Sequence, residues 1–189
     1  MALNPHVQER VYEQLDRAVQ KEGGLSAPII EQTMVPLLPA VVRETHRCTP
    51  AAAADLMKKV SQPIEIHGVS FPAETTVMFD ALTYLMDPSL VEDPMEFKPE
   101  RWLKESVEAR KGTPSQVIDH VFYSGPFSQG ARRCPGSRVA NLEVQTMLAQ
   151  LLLDWRIEGP ANLHWKDVRG SLETVFVPQF PEGTRFVPR

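Results

Sequence analysis

Seventeen prolines against ten glycines in 189 residues constrain this chain more than any other single feature. Proline fixes φ and lacks a backbone N–H, so it interrupts helices beyond their first turn and strands inside a sheet. Much of the chain must therefore run as turns and extended connections. The remainder is ordinary globular material, 42% apolar and 23% charged, which argues against disorder. A unit of this length can bury roughly 70% of its unfolded surface, as one domain or one large piece of a bigger one.

Helix signals bracket the proline-rich stretches. Asn4 and Pro5 suit a helix start, and Val7, Val11, Leu15 and Val19 recur every fourth residue until Lys21 and the Gly23-Gly24 pair. A second helix is predicted from Pro36 to about Cys48, ahead of Pro50. A third runs from about Ser137 to Trp155, where Ala140, Val144, Met147, Leu151 and Trp155 form one stripe and Val139, Leu142, Ala149 and Leu153 widen it. So apolar a circumference predicts a buried helix. Between the second and third helices the period changes. Ile64, Ile66, Val69 and Phe71 around Gly68 read as a short hairpin, and Thr75 to Phe79 is expected to pair with it. Residues 87–101 are turn-rich, Lys104 to Ser115 reads as a polar surface loop, and Asn162 to Arg189 alternates as strands around Gly170 and Pro178. The pattern predicts a mainly α fold with small β-sheets, an α+β class.

Charge and cysteine count exclude several functions. Lys and Arg number 20 against 24 Asp and Glu, a net charge of -4, so nucleic acid is not the expected partner. No run of 18 apolar residues and no apolar stretch near the start predicts a membrane segment or secretory signal. Cys48 and Cys134 are the only cysteines, which excludes a disulfide scaffold and fits a reducing compartment. A zinc site from His46, Cys48 and Cys134 falls short of the four ligands a structural zinc needs.

Three segments depart from plain globular chemistry. On the second helix, Leu37, Val41, Glu44 and Cys48 share a face, with Ala40 and Arg47 flanking it and Arg43 and His46 opposite. A carboxylate inside an apolar stripe is costly unless paired bidentately; on a solvated edge, a Glu-x-x-Arg pair needs no explanation. The run Phe97-Lys98-Pro99-Glu100-Arg101-Trp102 is an ordered turn carrying a second guanidinium. Arg101 either solvates or completes a network with Glu44 and Arg47. The third segment is Phe127-Ser128-Gln129-Gly130-Ala131-Arg132-Arg133-Cys134-Pro135-Gly136, leading into the apolar helix. Cys134 stands at that helix's N-terminus, where the backbone's partial positive charge favours an anionic sulfur. Gly130 and Gly136 permit close approach or positive φ, Phe127 is placed to shield the sulfur, and Arg132 can meet an anion. Together these describe a socket for a large, flat, anionic metal macrocycle.

F-x-x-G-x-R-x-C-x-G, met by Phe127, Gly130, Arg132, Cys134 and Gly136, resembles the cysteine-loop signature of the cytochrome P450 haem-thiolate monooxygenases. Glu44 and Arg47 match that family's upstream E-x-x-R helix, and Pro99, Glu100, Arg101 and Trp102 its P-E-R-[FW] segment, in the right order. The resemblance implies that residues 1–189 form a single partial domain, the C-terminal part of the fold without its distal helix. It implies haem b with Cys134 as the thiolate iron ligand, whose electron push favours O–O cleavage. Phe127, Gly130, Arg132 and Gly136 would bind the cofactor, Arg132 at a propionate, and Glu44, Arg47 and Arg101 would form a supporting network. Ser128 replaces a common glycine, and Ala54 stands where many relatives place a basic residue for the second propionate. The acid–threonine pair of the distal helix finds no counterpart, since Glu74-Thr75 lies in a strand region. The expected function is O2-dependent oxidation of a hydrophobic small molecule, with Ala51 to Leu56 facing the substrate. The alternative is a truncated, inactive haem-binding fragment. A reductase or ferredoxin would dock at Arg133 and Arg138, and the full-length protein would sit intracellularly, at the endoplasmic reticulum or in the mitochondrion.

Overall fold

The computed structural model describes residues 1–31, 34–50, 57–78, 80–123, 125–164, 170–172, 176–179 and 181–189. Helix α1 spans Pro5–Glu22, entered through Asn4 with Pro5 in its first turn and closed by Gly23 at φ 79. Proline suits this start because its missing N–H has no helical partner there, and glycine suits the stop because it adopts the left-handed conformation without a Cβ clash. Val7, Val11 and Leu15 are buried as the fourfold spacing predicts, but the next buried position is Ala18, with Val19 only partly covered. A short α2, Ala27–Glu31, which the sequence reading did not anticipate, leads to α3, Leu37–Cys48. Pro36 cannot cap α3 with a side chain, and the Leu37 N–H instead donates to Gln14 Oε1 of α1 at 3.3 Å.

The strands form small antiparallel pairs. β2 (Ile64–Ile66) and β3 (Val69–Phe71) make the expected hairpin, turning at His67 (φ 48) and Gly68 (φ 77). Two successive positive φ values are what a twisted two-residue hairpin requires. β4 (Thr76–Val77) does not join that hairpin, correcting the expectation; it pairs with β1 (Lys58–Lys59). A turn at Pro72–Thr75, with Glu74 at φ 67, returns the chain to the segment before the hairpin, where the Glu74 N–H donates to the Val60 carbonyl and the Val60 N–H to that of Thr75. Phe79 and Ala51 to Leu56, including the substrate-facing stretch and Ala54, lie outside the described residues.

Helix α4, Ala81–Leu85, precedes the turn-rich stretch, which ends in a 3₁₀ turn at Pro99–Trp102. Lys104–Ala109 is a helix, α5, rather than a loop. Its Lys, Glu and Ala residues have high helix propensity, while its polar circumference carries no apolar stripe to announce it. A second 3₁₀ segment follows at Pro114–Asp119. Helix α6, Ser137–Asp154, runs directly into β5 (Trp155–Glu158), so Trp155 begins a strand instead of ending the helical stripe. β5 pairs with β8 (Arg185–Pro188), and β6 (Gly170–Leu172) with β7 (Phe176–Pro178).

Alpha1, α3 and α6 enclose the core, in which Val7, Val11, Leu15, Leu37, Leu38, Val41, Ala149 and Leu152 lose nearly all solvent contact. The expectation that α6 is buried over most of its circumference is not met: Val139 is 59% and Met147 72% exposed. Its apolar residues surround the helix, so only the arc packed on α1, α2 and α3 is covered. Gln8, buried on α1, grips β5 bidentately: its Nε2 donates to the Ile157 carbonyl at 3.0 Å and its Oε1 accepts from the Ile157 N–H at 2.7 Å. Arg189 adds a fork onto Glu9 and lies over the Tyr12 ring. Among the described residues no helix is long and apolar enough to cross a membrane.

Candidate functional site: a buried carboxylate network behind an exposed cysteine loop

Glu44 and Arg47, one turn apart on α3, are both wholly removed from solvent. Such a pair survives burial only if nearly every polar atom finds a partner. Arg47 Nη2 donates to Glu44 Oε1 at 2.9 Å and its Nε to Oε2 at 3.1 Å, a two-point fork. From the Pro99–Trp102 turn, Arg101 Nε reaches Oε1 at 3.0 Å and the Trp102 indole N–H reaches Oε2 at 2.8 Å. The backbone N–H of Lys98 also donates to Oε1, at 2.9 Å. Burial pushes the Glu44 carboxyl up, but the Arg47 hydrogen bonds and charge, the Lys98 N–H and the Arg101 charge outweigh it and hold the carboxyl below its ordinary range.

Other donors of the two guanidinium groups reach backbone carbonyls. Arg47 donates to Leu85, Pro94 and Glu96, and Arg101 to Glu92. Arg101 Nη2 is buried with no hydrogen-bond partner among the described residues. Cys48 sits against this network, its Sγ 3.0 Å from Arg47 Nη2, and burial pushes its thiol up to about 11. A thiol held protonated is a poor metal ligand, and no group of three His, Cys, Asp or Glu residues among those described could hold a metal ion. The zinc combination of His46, Cys48 and Cys134 is thus set aside on geometry.

The cysteine loop is a separate structure built mostly from backbone bonds. Gly130 takes φ 78 and opens a 3₁₀ turn, Gly130–Arg132, and the Arg133 N–H closes onto the Gly130 carbonyl at 3.1 Å. The Cys134 N–H donates to the Phe127 carbonyl at 2.9 Å, cinching the loop into a ring that leaves the sulfur-bearing residue exposed at the entry to α6. Gly136 has an ordinary helical φ of -81, and a Cβ there would meet Cys134 Sγ at 3.8 Å, ordinary contact. Its glycine therefore answers to no strain or clash among the described residues. Gly125, which sequence reading did not single out, is the constrained position: a Cβ would lie 2.6 Å from both the Val121 carbonyl and the Gln129 side chain.

Helix α3 touches both structures. Its Glu44 and Arg47 enter the network, while His46 meets the Phe127 ring edge-on, with centroids 6.2 Å apart. Burial lowers the His46 pKa, so near neutrality it is an uncharged aromatic support for the loop. Arg132, Arg133 and Arg138 are exposed on the cysteine loop and first turn of α6. A groove of about 870 Å³ runs beside Cys134, lined by Ile30, Pro39, Arg138, Asn141 and Leu142.

The donor set decides which group fits. One exposed soft sulfur, with no cluster of carboxylate or imidazole ligands among the described residues, cannot enclose a bare ion, but it can complete an iron that brings four ligands of its own. The exposed Arg132 beside it suits the carboxylate edge of such a group. These residues fit haem.

Comparison with known proteins agrees with that chemistry. The family model described as Cytochrome P450 matches residues 1–177. A cytochrome P450 of Arabidopsis thaliana is 34% identical over 180 residues, 93% of this chain and 33% of the relative. The mitochondrial sterol 26-hydroxylase of Homo sapiens is 32% identical over 190 residues, covering 100% of this chain and 34% of the relative. Salviol synthase of Salvia pomifera is 34% identical over 176 residues, 90% of this chain and 33% of the relative. The chain thus spans about a third of the length of the curated relatives it matches. With a family match over nearly its whole length, this chain belongs to the cytochrome P450 family.

Proposed function

We propose that this chain carries the haem-thiolate socket of a monooxygenase that oxidises a hydrophobic small molecule. The observation that carries the reading is Cys134: an exposed lone sulfur on a loop cinched by its own backbone, at the entry to an 18-residue helix. Cys134 would supply the thiolate that holds the iron, and Arg132 would pair with a propionate. Gly130 provides the turn, and Phe127 supplies the carbonyl that fixes the cysteine backbone. Gly136 keeps the ligand's surroundings free of a side chain. Glu44, Arg47 and Arg101 are the support that orients the segments behind the socket, not groups that touch substrate. When bound, the haem supplies the oxygen-activating chemistry. The chain's own task is to present one anionic sulfur and keep it there.

Arg133 and Arg138 form the docking patch for an acidic reductase or ferredoxin in an otherwise acidic chain. The sterol 26-hydroxylase relative is mitochondrial by name. An intracellular, membrane-associated setting for the full protein, mitochondrial or endoplasmic-reticular, belongs to the same proposal.

The test is the absorption spectrum of the reduced, carbon-monoxide-bound full-length protein. Thiolate ligation red-shifts the Soret band. Cys134→Ser replaces the soft anion with a weakly coordinating hydroxyl and abolishes the shifted band, while Cys48→Ser, distant in role and already protonated, leaves it. A shifted band that survives Cys134→Ser, or disappears in Cys48→Ser, refutes the ligand assignment.

A further inference from the structure

We propose that Trp102 is a positioning residue for the Glu44 carboxylate and ties it to the surface segment 104–119. Two nitrogen donors reach Glu44 Oε2, the Trp102 indole at 2.8 Å and Arg47 Nε at 3.1 Å. The indole is the only one of them without a charge, and it is planar and nearly buried. A planar ring held at its face cannot swing its N–H away, so it sets the twist of the carboxylate about its last bond.

Two guanidinium groups hold that ring. Arg43 of α3 lies 4.0 Å from its centroid and donates to the Ile118 carbonyl at 3.3 Å. Arg110 lies 5.6 Å from the centroid and forks onto both oxygens of Asp119, at 2.5 and 2.7 Å. Arg110 also donates to the carbonyl of Arg101, the network's own second cation. Cation–π contacts of this kind strengthen when desolvated, and Arg110 and Asp119 are only 12% and 19% exposed. The segment 104–119 therefore reaches the buried carboxylate through the Trp102 ring as well as through the backbone of Arg101. A phenylalanine at 102 would keep the stacking and lose the hydrogen bond. The bond and the stacking stand on geometry alone; their consequence for cofactor retention rests on the haem reading above.

The first measurement is indole N–H exchange in ¹⁵N-labelled full-length protein, with Trp102 assigned through its contacts to Arg43. The Trp102 N–H exchanges at least about tenfold more slowly than that of Trp155, which is 38% exposed, and its resonance moves in Glu44→Gln. The second is haem transfer from the loaded protein to an excess of an apoprotein acceptor. Loss of a hydrogen bond to a charged acceptor predicts about tenfold or greater acceleration in Trp102→Phe. Arg110→Ala, which frees the ring but keeps the N–H, gives a smaller acceleration. A rapidly exchanging Trp102 N–H overturns the proposal even if Trp102→Phe does not fold. Slow exchange with unchanged haem transfer in Trp102→Phe overturns its link to the socket. Failure of the unaltered protein to bind haem counts against the functional reading instead, and the exchange result then decides the Trp102 bond by itself.

Discussion

Replacing Glu44 with alanine tests the network at the carboxylate on which its donors converge. The change removes the acceptor of five nitrogen donors: Arg47 Nε and Nη2, the Lys98 N–H, Arg101 Nε and Trp102 Nε1. Breaking a buried ion pair by deleting one partner costs about 3 to 5 kcal/mol, and each neutral donor left unsatisfied adds about 1 to 3 kcal/mol. Arg47 keeps the carbonyls of Leu85, Pro94 and Glu96, so its charge is not wholly stranded and the contributions do not sum. A loss of about 5 kcal/mol follows, comparable to the entire stability of a marginal domain. The pH dependence has a definite sign. Because the folded Glu44 carboxyl titrates below its ordinary value, its contribution is complete above about pH 4.3 and disappears as pH falls through the folded value. Urea unfolding of full-length protein at pH 7, repeated stepwise into acid, should therefore show the gap between parent and Glu44→Ala closing below about pH 4. A folded, haem-loaded Glu44→Ala protein within about 1 kcal/mol of the parent at pH 7 would refute the energetic argument, and a gap constant with pH would refute the electrostatic part.

Gln8→Leu keeps the bulk of a buried side chain but unpairs both polar groups of Ile157; the expected loss is about 2 to 5 kcal/mol in urea or thermal unfolding, and a change under about 0.5 kcal/mol would show the clamp to be incidental. Reversing charge at Arg133 and Arg138 together should slow electron delivery from an acidic partner steeply at low ionic strength, with the difference fading once the Debye length falls to about 3 Å near 1 M salt. Stopped-flow reduction that is equally fast at every salt concentration removes that docking patch.

Local signals carried the parts of the fold whose cause is local. The spacing of Val7, Val11 and Leu15, with Pro5 in the first turn and Gly23 after, specifies α1 because stop signal and periodicity agree, although the Asn4 side chain makes no capping bond. Two-residue ladders such as β1–β4 have no such signal. Their pairing is decided by the Pro72–Thr75 turn, whose positive φ at Glu74 is not a glycine's. Helix α5 was obscured for the opposite reason, since a short helix polar all round has the composition of a loop. The exposed residues of α6 show that an apolar circumference measures what a helix could bury, not what lies beside it.

The candidate site divides along the same line. Glu44 stood out as a carboxylate in an apolar stripe, and the turn-rich stretch 87–101 stood out through its prolines. What joins them is invisible to local pattern, because the partners are 38 to 58 residues apart. Yet the physical need for the join was already present in those prolines. Chain that turns at Pro88, Pro94 and Pro99 cannot form ladders, so its carbonyls must find other donors. Arg47 and Arg101 supply them at Leu85, Glu92, Pro94 and Glu96, and Glu44 pairs with both guanidinium groups and offsets part of the charge they bring. Buried pairs are poor investments for stability alone, and Arg101 Nη2 is left without a partner among the described residues. The network is better understood as an organiser. It gives one arrangement to backbone that secondary structure cannot arrange, and it does so from the helix whose His46, between Glu44 and Arg47, meets Phe127 of the cysteine loop.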